Sequence, residues 1–177
     1  MIVDTANYGL CLFSPCAMKD FLQQKGKSRT KRLLDLFQNN ADLYLDSLKL
    51  GVWLPITPIS SIGYRIKLSD EIIAKSNDVY SGFNIEVKEN SLWLCDIGKL
   101  RKIDYSLFNE KESLYYYTLD NQKRVNGVKL PVKNGKYLVT ISELLENDIP
   151  TIILKFDLVK TFSGFNDPRD DNKYHLF

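Results

Sequence analysis

Residues 82–94, GFNIEVKENSLWL, and residues 127–139, GVKLPVKNGKYLV, are equal in length and lie 45 positions apart. Aligned without a gap, they share Gly82/Gly127, Val87/Val132 and Lys88/Lys133, and they match in kind at Ile85/Leu130 and Leu94/Val139. Each reads as an alternating strand, a short turn and a second alternating strand. Asn134 and Gly135 are the pair favoured at the centre of a two-residue type I′ turn, where both residues need positive φ. Glu89 and Asn90 are a weaker form of the same device. The two stretches are therefore expected to be β-hairpins. They are alike because equal strands flank a short turn, a reading preferred to internal duplication.

Working outward, short strands recur at near-regular spacing. VWLPITPI at 52–59 is broken by Pro55 and Pro58 and reads as an edge or irregular strand. GYRIKLS at 63–69 alternates, with Tyr64, Ile66 and Leu68 on one side and Arg65 and Lys67 on the other. ESLYYYTLDN at 112–121, KYLVTIS at 136–142 and IPTIILKFDLV at 149–159 continue the series, and SELLEND at 142–148 is expected to form a turn of helix. This spacing, with Gly, Asn and Asp between strands, predicts a sheet pair or barrel.

The first third differs. YGLCLFS at 8–14 reads as a strand, and Ser14-Pro15 then opens a helix over CAMKDFLQQ that stops near Gly26. Ser28 is placed to cap a second helix carrying Leu33, Leu34 and Phe37, and a third piece restarts at Asn40 and ends at Gly51. The expected fold is α+β: an N-terminal helical segment packed on a mainly antiparallel, β-sandwich-like body with hairpins. One domain is expected over 1–177, with the helical segment at about 15–50, the strand-rich body at about 51–162 and a polar tail at 163–177.

Composition excludes several classes of function. With 44% hydrophobic and 26% charged residues, wholesale disorder is not expected. A net charge of +2 is too balanced to imply nucleic acid by itself. The apolar run at 8–13 lacks a basic leader and is too short for a signal peptide, and no run approaches the ~20 residues of a membrane span. Cys11, Cys16 and Cys95 form no paired framework, and they are expected as buried thiols in a reducing cytoplasm.

Each enzymatic template lacks a member. His175, the single histidine, sits three residues from the end of the sequence, a poor place for the base of a Ser-His-Asp or Cys-His set. The cysteines and His175 show no zinc-ligand spacing, and no phosphate-cradling glycine loop is present. Glu86 and Lys88 project from one strand face, and with Asp78 upstream they could form a Mg²⁺ site of the kind metal-dependent nucleases use. The plainer account is the solvated face of a strand. Asp167, Asp170 and Asp171 could take Ca²⁺, but they lack EF-hand spacing, and a solvated tail explains them better. No cofactor is expected.

Two features point to a binding surface. Lys25, Lys27, Arg29, Lys31 and Arg32 place five cations within eight residues, which suits an acidic protein surface or phosphates. No aromatics for stacking bases are interleaved there, which disfavours single-stranded nucleic acid and leaves a nucleic-acid binder using residues 25–32 as an alternative. Tyr115, Tyr116 and Tyr117 make both faces of a strand aromatic, so at least one must point outward, and Trp53 and Trp93 are further candidate anchors. The strands from Val52 on, the stretch VKNGKYLVTISEL and the DP-containing polar tail together resemble small bacterial immunity proteins. The resemblance covers the C-terminal two-thirds and transfers no site residue. It implies a cytoplasmic inhibitor that occludes the active site of a cognate protein toxin, without a cofactor or membrane contact.

Overall fold

The structure, a computed structural model, describes residues 1–70, 78–170 and 173. Its strands are β1 (Ile2–Asp4), β2 (Leu10–Phe13), β3 (Trp53–Ile56), β4 (Gly63–Leu68), β5 (Asp78–Val87), β6 (Leu92–Asp96), β7 (Ser113–Tyr117), β8 (Lys123–Leu130), β9 (Gly135–Glu146) and β10 (Ile149–Val159). They build two five-stranded sheets. A central sheet has the order β3-β2-β6-β8-β7, and an outer sheet has the order β1-β4-β10-β9-β5. Pairing is antiparallel except between β4 and β10, where Ile66 lies opposite Ile152. The fold is α+β, as expected, with its helices against the sheet.

The central sheet is buried on both faces. Leu10, Leu12, Leu54, Ile56, Leu92 and Leu94 point toward the outer sheet and meet Tyr64, Ile66, Ile85, Val139, Ile152 and Leu154. The alternate residues Cys11, Phe13, Trp53, Trp93 and Cys95 point the other way, into a second core. Strands covered on both faces lose their polar alternation, which is why LCLF and LWLCD are apolar throughout.

The second core is closed by helices α1 (Pro15–Gln24), α2 (Leu33–Gln38), α3 (Ala41–Lys49) and α4 (Ser106–Glu110), and by a 3-10 helix, Ile97–Lys102. α1 starts with Pro15 after Ser14, as expected, but the Ser14 hydroxyl makes no cap bond. It accepts from the Lys88 N–H at 3.1 Å and donates to the Lys88 carbonyl at 3.3 Å. Ser28 does not cap α2, which opens after Arg32. α3 follows the expected pattern: the Asn40 side chain accepts from the Leu43 N–H at 3.0 Å. The chain then turns at Gly51, with φ +67°, and its carbonyl takes the Glu86 N–H at 2.7 Å. A Cβ on Gly51 would lie 2.9 Å from that nitrogen, so the approach requires glycine.

The two opening stretches are not hairpins. β5 belongs to the outer sheet and β6 to the central sheet, and residues 88–91 carry the chain from one to the other with only a Lys88–Ser91 bridge. β8 and β9 repeat the manoeuvre in reverse. The stretches pair with each other instead. β5 runs against β9, with Glu86 opposite Lys136, and β6 runs against β8, with Leu92 opposite Leu130. The turn conformations also invert the expectation. Glu89 and Asn90 have φ of 55° and 48°, whereas only Gly135 of the second pair has positive φ, at 156°. The Asn90 N–H donates to Asn134 Oδ1 at 2.5 Å, and the Asn134 N–H donates to Asn90 Oδ1 at 2.9 Å. Side-chain amides thus take over from strand pairing where the two corners meet.

The expected helical turn at 142–148 is strand. β9 continues to Glu146, Asn147 and Asp148 make the turn with φ of 50° and 61°, and β10 returns in register from Glu146/Ile149 to Lys136/Val159. This is the two-residue hairpin whose chemistry was sought at 134–135. At its end Glu146 bridges Arg65 at 2.8 Å and Lys67 at 2.6 Å, binding β4 to the hairpin tip.

Asn134→Ala should lower unfolding stability by about 0.5–1.5 kcal/mol in urea titration, the value of a net hydrogen bond. Asn90→Ala should cost more, because it also places alanine at positive φ. The Lys67 and Arg65 charges hold the Glu146 carboxyl below its usual range. A depressed carboxylate stabilises above its unfolded value and loses that contribution as pH falls through the folded one. The stability gap between wild type and Glu146→Gln should therefore be full near pH 7 and close below about pH 4, read from urea midpoints across that range.

Candidate interaction face

β7 is an edge strand, paired with β8 alone among the described residues. Leu114 fills the helical core, and the register shifts between Leu114 and Tyr115. Beyond that shift all three tyrosines reach solvent, at 45%, 37% and 59% exposure for Tyr115, Tyr116 and Tyr117. Tyr115 and Tyr117 meet edge to face at 5.9 Å, and Lys123 sits 4.0 Å over the Tyr115 ring. These contacts hold the rings in place, and rigid amphipathic aromatics suit protein recognition.

Lys27, Arg29, Lys31 and Arg32 lie exposed in the loop between α1 and α2. The Lys31 carbonyl accepts from the Ile103 N–H at 2.9 Å, which lays this loop beside the end of the 3-10 helix. That helix contributes Lys99, Arg101 and Lys102, cations not among the sequence-predicted binding residues. Its start is set by Asp96, buried and held by four donors: Thr5 Oγ1 at 2.9 Å, the Ala6 N–H at 2.8 Å, Asn7 Nδ2 at 2.8 Å and the Gly98 N–H at 2.7 Å. Such an acid is structural. A capping Asp followed by Ile-Gly-Lys-Leu-Arg-Lys was the available signal for this helix.

The tyrosine strand and the basic loop meet through it. Tyr116 and Lys99 line one cavity of about 260 Å³ with Asn7. Asn7 and Arg101 line the neighbouring one. Segments 29–35 and 97–104 hold six cations and two acids. Of those acids, Asp35 pairs with Arg32 at 2.5 Å. Asp104 accepts from the Ser106 hydroxyl and N–H, which keeps its carboxyl below the usual range. Lys25 stands apart, paired with Asp46 at 2.6 Å.

The tail departs from the solvated expectation as far as it is described. Asn84 donates to the Gly164 carbonyl at 2.7 Å, Asn166 donates to the Ser81 carbonyl at 2.8 Å, and Pro168 is buried. The Tyr44 hydroxyl donates to Asp167 at 2.6 Å, and the Arg169 guanidinium stacks 3.4 Å from the Tyr44 ring centre. Burial and the Asp167 carboxylate push the Tyr44 hydroxyl far above its ordinary value. His175 and Asp171 lie outside the described residues.

The other candidates are dispersed. Asp78 and Glu86 occupy opposite ends of β5, about 25 Å apart at ~3.3 Å per residue, so the proposed metal trio is not assembled. Glu86 lies 3.9 Å from Lys88, whose ammonium is bound to Asp20 at 2.6 Å; that bond raises the Lys88 pKa. Among the described residues no cluster of three or more His, Cys, Asp or Glu is disposed to hold a metal. Trp53 and Trp93 are core residues at 3% and 0% exposure, not surface anchors. Cys11 and Cys95 face each other on β2 and β6 with sulfurs 3.8 Å apart, and burial raises the Cys11 thiol pKa. Cys16 is half-buried.

No family model and no curated protein matches the chain. Among solved structures, ComJ from Bacillus subtilis, an inhibitor of the DNA-degrading activity of NucA, aligns over 90% of this chain and 94% of its own, with 11% identity and a TM-score of 0.49. A likeness of that degree carries no inference about activity. No helix among the described residues is long and apolar enough to cross a membrane.

Tyr44→Phe removes the tie to Asp167. It should cost about 1.5–3 kcal/mol, the range for a hydrogen bond to a charged group. It should also speed tryptic cleavage after Arg169 several-fold while the sheets stay resistant. Unchanged cleavage would show that the tail is held without Tyr44.

Proposed function

We propose that the chain is a protein-binding inhibitor, of the immunity type, that covers the active site of a cognate toxin with the face carrying Tyr115, Tyr116, Tyr117, Lys27, Arg29, Lys31 and Arg32. The observation that carries this reading is the meeting of fixed, exposed tyrosines with a net-positive strip along the 3-10 helix. Aromatic anchors beside a net-positive strip supply contact area and electrostatic matching to an acidic surface. The mechanism is steric occlusion, which needs no cofactor and no reacting group on this chain. Nucleic acid is a weaker fit, because no aromatic side chain is interleaved with the cations of the 25–32 loop itself to stack on bases.

The test is capture of a partner from the native organism, followed by assay of that partner's activity with and without this chain. Stoichiometric binding with loss of activity is expected. Tyr115→Ala with Tyr117→Ala, and separately Lys31→Glu with Arg32→Glu, should each weaken binding at least tenfold, and the charge reversal should act mainly on the association rate. A partner whose activity is untouched, or affinity indifferent to both double variants, would sink the reading. Salt-sensitive binding of a plain DNA duplex in place of any protein would establish the nucleic-acid alternative.

A further inference from the structure

A recess opens where α2, α3, β3 and the 3-10 helix meet, with Arg169 of the tail at its rim. Its volume is about 180 Å³. Sites that enclose a whole small ligand run to ~300–1,000 Å³, so this one is the size of a single side chain. Its walls are aromatic. Phe37 and Trp53 stack with ring centres 4.9 Å apart and planes at 15°, and Tyr44 stands edge-on to Trp53 at 6.0 Å. The polar atoms of these rings are already engaged, Trp53 Nε1 with Ser47 at 2.8 Å and the Tyr44 hydroxyl with Asp167 at 2.6 Å. They therefore present carbon to whatever enters.

The charged members of the lining are two arginines, Arg101 and Arg169, and no carboxylate among the described residues lines the recess. Arg169 is fixed in plane by its stack on Tyr44, and its Nε makes a long ion pair with Asp167 at 3.8 Å that leaves its N–H donors free of that carboxylate. Arg101 has no ion pair among the described residues and stands exposed on the last turn of the 3-10 helix. A guanidinium offers five N–H donors in a planar fork that matches a carboxylate. An apolar throat with such forks at its mouth suits a side chain with a methylene stem and an acidic head.

Building on the partner-binding reading above, we infer that this recess receives a glutamate or aspartate side chain of the protein partner. That residue anchors the acidic surface against the basic strip. A buried, forked charge pair of this kind belongs among the few residues that dominate an interface.

The test has two arms. In the first, the free protein is titrated with N-acetyl-glutamate methylamide while the Trp53 indole N–H and the Arg101 and Arg169 Nε–H signals are followed by NMR. Saturable shifts at millimolar probe are expected. They should be absent with N-acetyl-glutamine methylamide and in Arg101→Gln. No response, or equal response to both probes, overturns the inference. In the second arm, Arg101→Gln and Arg169→Gln should weaken the captured partner roughly 10- to 100-fold, with Lys155→Gln on the outer sheet as an unchanged control. Binding of the partner at wild-type strength by both arginine variants overturns the recess inference and leaves the inhibitor reading standing. A glutamate-specific response in a protein that captures no partner reassigns the recess to a free acid, and then both readings fall.

Discussion

One antiparallel register passes through two corners of this molecule, and the reciprocal bonds between Asn90 and Asn134 hold it across the gap where no strand pairing exists. Everything inward of the corners depends on that register. On β6 it sends Leu92 and Leu94 toward the outer sheet and Trp93 and Cys95 toward the helices. A slip of one residue would exchange those sets and bring Trp93 against a space filled by leucine. The corner is also tied to the helical layer, since Ser14 at the start of α1 bonds both backbone groups of Lys88. Gly51 does the same from the end of α3 through Glu86. Three layers are thus set against one another at a single seam.

The face proposed for partner binding is a product of that layering. The helices must cover the apolar side of the central sheet, and the short connections that let them do so are where the cations collect. The loop at 27–32 and the 3-10 helix at 97–102 are both connections of this kind, joined by one backbone bond between Lys31 and Ile103. At the far edge of the same sheet, β7 runs out of partners and turns its tyrosines outward once Leu114 has satisfied the core. Charge and aromatic surface therefore adjoin without being near in sequence. Neither is needed to hold the fold.

The strands themselves were legible because alternation reports burial directly, and Asn40 and Gly51 announced the ends of α3 by local backbone chemistry. What local chemistry does not encode is which strand a turn delivers the chain to. Residues 88–91 have the positive φ values of a hairpin turn, yet the strands they join lie in different sheets. The stretch at 142–148 looked helical because Leu144 and Leu145 are adjacent, and the pairing of β9 with β10 along their whole length overrode it. Of the proposed face, the tyrosines and the basic loop could be named from sequence. Lys99, Arg101 and Arg169 could not, because their importance comes from two cavities, each lined by segments more than a hundred residues apart. Trp53 and Trp93 were misplaced for the same reason: a doubly covered sheet buries residues that a one-sided sheet would expose.

The order of the outer sheet has a consequence for synthesis. β5 finds its neighbour only in β9, and β4 lies between β1 and β10. As the chain leaves the ribosome, the central sheet and its helices have all their parts once β8 has emerged. The leucine face of that sheet then waits uncovered until residues 135–159 follow. At ~5–20 residues per second this interval lasts a few seconds. A nascent chain in that interval exposes a large apolar surface beside an unpaired strand, the condition in which holding chaperones and misassembly compete. The β9–β10 hairpin is therefore the lid on the central sheet. Codon choices that slow its translation lengthen the exposure in direct proportion.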